Sequence, residues 1–280
     1  MIGFLNVYKP RNITSNFVLT KIKKQFGLKK IGHMGTLDPM AEGVLPIAVG
    51  NSTKMFDYFL NKKKSYIATF EFGYETDTLD ATGKIINNSN NIPSVEDVKK
   101  VLNGFIGKNN QMPPKYSAKN INGKRAYELA RKNIDFNLKP KEIEIFEFKY
   151  LSNQENKFEF EITCSSGTYI RSLCRDLAYS LNTFATMTKL IRASSGKFNL
   201  ENSVSLESLL SSNIENYLIS VENIFDFKSV FVDDEQCKKL RNGMTIYFEL
   251  DDCLVFVINK NINLGVGEVF NNKLKLKTHF

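Results

Sequence analysis

One segment restricts the fold of this chain more than any other. Residues 32–46 have the sequence GHMGTLDPMAEGVLP, which contains three glycines and two prolines. Glycine weakens helices and strands because its backbone is so free, and proline has no backbone N–H to donate. The composition therefore predicts a shaped loop rather than a regular helix or a central strand. Taken alone, Asp38-Pro39 in this loop is more typical of a turn than of a catalytic carboxylate.

Strand and helix patterns on both sides of the loop indicate an α/β (α+β) catalytic domain, with a mixed β-sheet and flanking helices. Residues 3–8 form a short apolar run typical of a strand, and Ser15 is placed to cap the helix that follows. Residues 66–74 alternate between apolar and polar side chains, as do residues 142–151 and 157–163. This alternation predicts a half-buried strand and then a hairpin.

The pattern changes near Lys228. Beyond it, five short β-like runs are separated by turn residues such as Asn242-Gly243, which suggests a small barrel. We therefore predict a catalytic domain over residues 1–228 and a small β-barrel over residues 229–280.

The charge of the chain is compatible with a polyanionic partner. Its net charge is +8 and its pI is near 9.1. Basic and acidic residues balance over residues 229–280, so the whole excess lies in the first 228 residues. Any electrostatic contact with a nucleic acid is therefore expected mainly on the N-terminal part.

Composition argues against membrane and metal functions. No apolar run approaches the roughly 20 residues that span a bilayer, and residues 1–10 lack the pattern of a signal peptide, so we expect a cytoplasmic protein. The four cysteines show no C-x-x-C spacing and there are only two histidines, which disfavours a zinc site. Free thiols in a reducing compartment are the simplest interpretation.

The motifs together resemble a known family. Residues 32–54 are similar, nearly end to end, to the signature loop of the bacterial tRNA pseudouridine-55 synthases, the TruB family. The resemblance continues in order along the catalytic domain, through Lys9-Pro10 with Thr14-Ser15, Tyr66 ahead of Gly73 and Thr76-Asp77-Thr78-Leu79-Asp80, Gln111-Met112-Pro113-Pro114 with Tyr116-Ser117-Ala118, and Gly167-Thr168-Tyr169-Ile170-Arg171.

The resemblance implies the following roles. Asp38 is the nucleophile, Tyr66 lies against the target base, and Arg171 is the cationic partner of the aspartate. A fixed cation of this kind keeps a carboxylate ionised in a closed pocket. The implied substrate contacts are Leu190, as an apolar wall, with His33, Lys9 and Tyr169.

Each of these residues also has a simpler explanation. Tyr66 suits a strand core, His33 a hydrogen-bonded structural role, and Arg171 an exposed helix face with Arg175, where Gly167 and Thr168 supply the break and the cap. A tyrosine ring could replace the stacking that a swung-out base loses, and its hydroxyl could also reach a proton.

The sequence departs from the family pattern in three places. Met34 follows the histidine where threonine is usual, Asn12 replaces a glycine, and Phe184-Ala185-Thr186 replaces Gly-Ala-His. Asparagine can adopt the positive φ that glycine would adopt. At the C-terminal end, Asn242-Gly243 and Leu264-Gly265-Val266-Gly267 resemble the small PUA-type RNA-binding barrel.

The implied function is isomerisation of a uridine in the tRNA T-loop, at position 55, with an aspartate nucleophile and no cofactor. The implied partner is the T-arm of tRNA, with no required protein partner and a monomeric state. Two alternatives stay open. The first is a tRNA-folding chaperone that acts mainly by binding, and the second is a guide-RNA-dependent synthase subunit, which would need partner proteins.

Overall fold

Strands and helices alternate through most of the chain, and strands dominate its last part. The computed structural model describes residues 1–59, 62–117, 119–121, 123–132 and 134–280, so Ala118 of the sequence motif lies outside the described residues. The helices are α1 (Ser15–Gln25), α2 (Phe56–Phe59), α3 (Val95–Leu102), α4 (Ala126–Arg131), α5 (Ile170–Ser180), α6 (Leu206–Leu210), α7 (Val221–Ile224) and α8 (Asp234–Arg241), with 3₁₀ turns at Gly50–Met55, Asn103–Phe105 and Ile214–Tyr217.

The strands, in chain order, are β1 (Gly3–Lys9), β2 (Ile31–His33), β3 (Glu42–Val49), β4 (Lys64–Phe72), β5 (Tyr74–Thr76), β6 (Ile85–Asn88), β7 (Gly107–Gln111), β8 (Asn120–Ile121), β9 (Lys124–Arg125), β10 (Lys141–Gln154), β11 (Lys157–Cys164), β12 (Ala185–Ser195), β13 (Phe198–Asn199), β14 (Val204–Ser205), β15 (Lys228–Phe231), β16 (Ile246–Tyr247), β17 (Cys253–Asn259), β18 (Ile262–Phe270) and β19 (Lys273–His279).

The larger sheet is mixed, as the sequence predicts. Its main path runs β14-β1-β3-β12-β4-β11-β10-β7, with β2 beside β3 and β13 beside β12. The β1–β14 and β3–β12 pairs are parallel, whereas β4 pairs antiparallel with both of its neighbours. The strand predicted over residues 66–74 is confirmed as β4, and the predicted hairpin is confirmed as β10 and β11.

Strands β1 and β3 of this sheet are buried on both faces. On β1, Leu5 belongs to the core that helices α1, α3 and α5 cover, while Phe4 belongs to a second cluster on the opposite face. Phe256 of β17 and Val266 of β18 lie in that second cluster. Because successive side chains of a strand point to opposite faces, such strands carry apolar residues continuously rather than alternately.

The prediction that residues 32–46 contain no central strand is wrong for their second half. β3 lies between β1 and β12 and includes Pro46. β12 pairs with β3 only at Glu42 and Gly43, and β2 pairs with it at residues 47–49, so Pro46 falls between the two partners. The missing N–H of this proline therefore costs no ladder hydrogen bond. The irregular part of the segment is residues 34–41.

Two predicted helix caps are also wrong. Thr14, not Ser15, caps α1, because its side chain accepts a hydrogen bond from the Phe17 backbone N–H. The N-cap of α5 is Tyr169, which makes no side-chain cap, while the Thr168 hydroxyl donates to the Ser165 carbonyl instead. Local capping rules could not separate Thr14 from Ser15, since both are suitable N-cap residues, and they favour Thr168 over the tyrosine that stands at the N-cap of α5.

All five predicted C-terminal strands are present, but they form an open sheet rather than a closed barrel. The order is β15-β17-β18-β19-β16, and the edge strands β15 and β16 do not pair with each other. Helix α8, which the sequence analysis missed, begins with a capping box formed by Asp233 and Gln236. The division of the chain at residue 228 stays a prediction, because the cluster around Phe4 draws on residues from both sides of it.

A prediction follows from this shared cluster. Phe256→Ala removes a ring that is 1% exposed, and we expect the free energy of unfolding to fall by about 3–5 kcal/mol. Because the cluster joins the two sheets, urea denaturation should still show one transition. Phe270→Ala, at a ring that is 61% exposed, is the matched control and should change stability by less than about 0.5 kcal/mol. Two separate transitions in the wild-type protein would contradict this view.

Candidate active site

A cavity of about 510 Å³ opens where the loop of residues 34–41 meets β4, β12 and the start of α5. Three of the residues singled out from the sequence, Asp38, Tyr66 and Arg171, line this cavity together. The other lining residues include Gly35, Thr36, Leu37, Lys64, Lys141, Gly167, Thr168, Tyr169, Ile170, Leu190 and Arg192.

Arg171 joins two carboxylates. Its Nε lies 2.9 Å from Oδ2 of Asp38, and its Nη1 lies 3.5 Å from Oδ2 of Asp80. The guanidinium also donates to the backbone carbonyls of Thr78 and Tyr116, both at 3.0 Å. The Arg171 side chain is 6% exposed and that of Asp38 is 35% exposed. The arginine is thus a buried, fully oriented cation rather than a surface residue, and it leaves the carboxylate of Asp38 accessible from the cavity.

Asp80 is itself held in place. Its Oδ1 accepts hydrogen bonds from the hydroxyl of Thr78 and from the backbone N–H of Thr82, at 2.9 and 3.0 Å. Asp80 is 5% exposed. A buried carboxylate such as that of Asp80 needs hydrogen-bond donors and a cation of this kind. The two carboxylates, Asp38 and Asp80, hold the Arg171 guanidinium at both of its ends.

The start of α5 is fixed by Gln111 of β7. The side-chain oxygen of Gln111 accepts from the backbone N–H of Tyr169 at 2.8 Å, and its side-chain nitrogen donates to the Tyr169 carbonyl at 3.1 Å. Gln111 is 3% exposed. This pair of bonds replaces a side-chain cap and sets where the helix begins, and therefore where Arg171 enters the cavity.

The backbone just before Asp38 is fixed by two side chains. The Ser15 hydroxyl accepts from the Leu37 N–H at 2.9 Å and donates to the Leu37 carbonyl at 3.0 Å. The Arg192 guanidinium donates to the carbonyls of Gly35 and Thr36, at 3.0 and 3.4 Å, and its Nε donates to the Val44 carbonyl at 2.7 Å. These bonds tie the loop to both α1 and β12.

Lys9 fixes the other side of the loop and does not reach the cavity. It is 0% exposed, and its ammonium donates to the carbonyls of Pro10, Ile13 and Pro39 at 2.9, 2.7 and 3.3 Å. Burial lowers the pKa of Lys9 to about 8, against the opposing charges of Asp38 and Glu42. This geometry gives Lys9 a positioning role and does not support the substrate contact predicted for it. Asn12, next to this turn, has a φ of 66°, as predicted.

Tyr66 and Leu190 supply the apolar wall of the cavity. They lie on the neighbouring strands β4 and β12 and are 7% and 6% exposed. Burial raises the pKa of Tyr66 to about 12, although the nearby charge of Arg192 acts in the opposite direction. The phenol is therefore neutral at physiological pH.

The two remaining predicted contacts differ in position. Tyr169 lines the cavity, immediately before α5 and two residues before Arg171. His33 is half-buried on β2 and is not among the lining residues, and its Nδ1 is buried without a hydrogen-bond partner in the described part of the chain. Burial and then the charge of Arg192 lower the pKa of His33, so its imidazole is neutral.

Sequence reasoning assigned no role to Ser15 in the loop, to Asp80 or to Arg192. Asp80 was visible as the last residue of the Thr76–Asp80 motif, but no pattern showed that it would meet Arg171. Arg192 stands in an alternating strand, where a charged residue usually faces solvent; only the structure shows that it is 1% exposed.

Neither a cluster of metal ligands nor a membrane-spanning helix occurs among the described residues. Within the described ranges, no group of three or more His, Cys, Asp and Glu side chains could hold a metal ion. None of the helices in those ranges is long and apolar enough to cross a membrane.

The contacts of Ser15 generate a prediction. Ser15→Ala leaves the buried N–H and carbonyl of Leu37 without partners, which should lower the free energy of unfolding by about 1–3 kcal/mol. The local effect should be faster amide hydrogen exchange across residues 34–41, measured on proteolytic peptides. Ser211→Ala, at the exposed end of α6, is the control and should leave exchange in the loop unchanged. Equal exchange in Ser15→Ala and wild-type protein would refute the anchoring role.

The sequence matches two family models. The model described as TruB family pseudouridylate synthase (N terminal domain) matches residues 23–170, and that described as tRNA pseudouridylate synthase B C-terminal domain matches residues 171–223. The chain is 40% identical over 284 aligned residues to the tRNA pseudouridine synthase B of Clostridium kluyveri, covering 98% of each protein. It is 42% identical to the protein of the same name from Mycoplasma mobile, covering 96% of this chain and 91% of the relative.

Solved structures share the fold at lower identity. An H/ACA RNP bound to a substrate RNA containing 2'-deoxyuridine includes a chain that matches with a TM-score of 0.73 and 20% identity, covering 99% of this chain and 84% of that one. A chain of a Cbf5-Nop10-Gar1 complex matches with a TM-score of 0.70 and 23% identity, covering 99% and 79%. Since one family model spans more than half of the sequence and curated relatives align with nearly all of it, the chain belongs to the TruB family of pseudouridylate synthases.

Proposed function

We propose that this protein isomerises a uridine of the tRNA T-loop, at position 55, to pseudouridine, with Asp38 as nucleophile and no cofactor. The observation that carries the proposal is the geometry of Asp38. Its carboxylate lies on the cavity wall, partly open, 2.9 Å from a buried arginine that is held from four directions. A cation so fixed orients the carboxylate toward the cavity without a metal ion.

The chemistry needs little more than this carboxylate. An Asp38 oxygen bonds to C1′ of the ribose as the bond from C1′ to N1 of uracil breaks. The freed base turns, C5 bonds to C1′, and the carboxylate leaves. The proton of C5 is lost and N1 gains one, so the reaction is balanced as an isomerisation. Covalent capture keeps the sugar in the site while the base is free.

The walls of the cavity suit a base turned out of an RNA helix. We propose that the uracil lies against the ring of Tyr66, with Leu190 as the apolar surface and Tyr169 at the edge. A flat ring replaces part of the stacking lost on flipping. With its pKa at about 12 the Tyr66 phenol stays protonated, so stacking is the role we assign to it.

The proposed partner is the T-arm of tRNA, bound by a cytoplasmic monomer without other proteins. The curated relatives are named tRNA pseudouridine synthase B, and the basic excess of residues 1–228 suits a polyanionic ligand. We also propose that the C-terminal sheet, β15 to β19, is a PUA-like RNA-binding unit. This rests on the sequence resemblance and on the whole-chain likeness to RNP subunits.

Binding without chemistry is the alternative that most needs testing. A tRNA-folding chaperone would require affinity but not an oriented carboxylate. The row Asp38–Arg171–Asp80 buries the charges of Arg171 and Asp80 beside a partly open Asp38, which is costly and is rarely kept for affinity alone. The enzymatic role is therefore favoured, and the first experiment below separates the two.

Asp38→Asn should lower the rate of pseudouridine formation by at least about 10³-fold while tRNA affinity and stability stay close to wild type. The rate is measured on tRNA transcripts with purified protein. Asp57→Asn, at an exposed position of α2, is the matched control and should be fully active. Turnover near the wild-type rate in Asp38→Asn would exclude this residue as nucleophile.

A separate measurement tests which uridine of the tRNA is modified and whether a guide RNA or a second protein is needed. After incubation of purified protein with an unmodified tRNA transcript, pseudouridine should appear at position 55, and an isolated T-arm hairpin should also react. A transcript with cytidine at that position should remain unmodified. A requirement for a guide RNA or a second protein would favour the guide-dependent alternative, and modification outside the T-loop would refute the proposed specificity.

A further inference from the structure

Three cations line one part of the cavity that the proposed chemistry does not use. The ammonium of Lys64 lies 3.4 Å and Nη1 of Arg192 lies 3.6 Å from the point where a Cβ on Gly35 would stand. The ammonium of Lys141 lies against Gly167, in the space that a Cβ there would fill. All five residues belong to the cavity wall.

These three cations differ from Arg171 in the kind of group that they contact. Arg171 has two carboxylates, whereas no salt bridge joins Lys64, Lys141 or Arg192 to an acidic group in the part of the chain that the structure describes. Arg192 uses its N–H groups on backbone carbonyls. Burial lowers the pKa of Lys64 to about 8, and the charges of Arg192 and Lys141 act in the same direction.

Such a cluster is unfavourable in the free protein. Arg192 is buried and Lys64 is half-buried, whereas Lys141 is exposed. Lost hydration raises the free energy of the first two cations, and their mutual repulsion adds to it. An anion placed among them would remove the cost, and the same interactions would then contribute to binding. The cluster therefore has the properties of an anion site rather than of a structural ion pair.

The backbone leaves this site open. Gly35 has a φ of 142° and Gly167 a φ of 87°, which residues with a side chain rarely adopt. Any side chain at either position would also meet the cations themselves. The two glycines thus keep the ammonium groups accessible from the cavity.

The position of the cluster relative to Tyr66 indicates which anion it takes. Lys64 and Tyr66 are two residues apart on β4, which places them on the same face about 7 Å apart. Arg192 is the direct cross-strand neighbour of Tyr66. A base lying against Tyr66 would carry its own phosphates at a comparable distance, toward Lys64.

We propose that Lys64, Arg192 and Lys141 form a phosphate-binding subsite for one of the two phosphodiesters that flank the isomerised nucleotide. This inference rests on the proposed function, since it takes the ligand to be the RNA substrate. The subsite draws the flipped nucleotide into the cavity by its backbone, while Tyr66 and Leu190 receive the base. Lys64 supplies the charge that is free to bind, and Arg192 also holds the loop.

The test combines Lys64→Met with RNA in which single phosphates are made neutral. T-arm hairpins carry a methylphosphonate 5′ of the target uridine, 3′ of it, or in the distant stem. Dissociation constants are measured in the Asp38→Asn background, so that RNA is not consumed. We expect Lys64→Met and one of the two flanking methylphosphonates each to weaken binding roughly 10- to 100-fold, and their combination to weaken it no further.

Two comparisons separate this role from a general charge effect or a structural one. Lys63→Met removes an exposed neighbouring charge and should show no such coupling to any methylphosphonate. Lys64→Arg should restore most of the affinity. Because no carboxylate of the described residues pairs with Lys64, Lys64→Met should keep or raise the melting temperature of the free protein.

Additive effects of Lys64→Met and both flanking methylphosphonates would overturn the proposal, as would unchanged RNA affinity in Lys64→Met. So would a loss of melting temperature that accounts for the weaker binding. The binding measurements do not depend on turnover. Failure of wild-type protein to form pseudouridine would count against the proposed function. The coupling between Lys64 and the phosphate could still be determined from the dissociation constants alone.

Discussion

The peptide groups of residues 35–40 make hydrogen bonds to side chains from distant parts of the chain, and these bonds fix the site. Ser15 satisfies both polar groups of Leu37. Arg192 donates to the carbonyls of the two residues before Leu37, and Lys9 donates to the carbonyl of the residue after Asp38. A buried peptide group without a partner would cost as much as a lost hydrogen bond, so the loop has few alternative conformations. The carboxylate is therefore placed by main-chain contacts and not by its own side chain alone.

The charged side chains around this loop have two different roles. Arg171 is saturated by two carboxylates and two carbonyls, so its position does not depend on a ligand. Lys64 has no carboxylate partner in the described structure, and its free energy does depend on what enters the cavity. Near Asp38, the side chains of the site are oriented before the substrate arrives. Near Lys64, the site gains most of its stabilisation from the bound substrate.

The sequence predicted those parts of the fold that depend on local patterns. Alternation located β4, β10 and β11, because period-two burial is a property of a single strand. Short β-like runs between turn residues located the five C-terminal strands. The central position of β3 could not be predicted, since it depends on where β12 and β2 begin and end. The open edge of the C-terminal sheet likewise depends on pairing between distant strands.

The candidate site divides in the same way. Asp38, Tyr66 and Arg171 were found because they stand in motifs, and the structure brings them to one cavity. Lys9 stands in a motif too, but its three carbonyl acceptors belong to residues that only the fold brings around it. Arg192 was not found, because the sequence analysis predicted no strand over β12, and a local pattern does not distinguish a charged residue that is buried from one that is exposed.

The cluster between the two sheets has a consequence for the order in which the molecule can be completed during synthesis. Phe4, near the start of the chain, packs with Phe225, and the same cluster includes Phe256 and Val266. The ribosome makes the loop of Asp38 within the first sixth of the chain, yet the layer behind β1 and β3 cannot close until β17 and β18 have emerged. The nascent chain therefore exposes an apolar sheet face through most of its synthesis. This face is covered only when the last strands are made and pack against it.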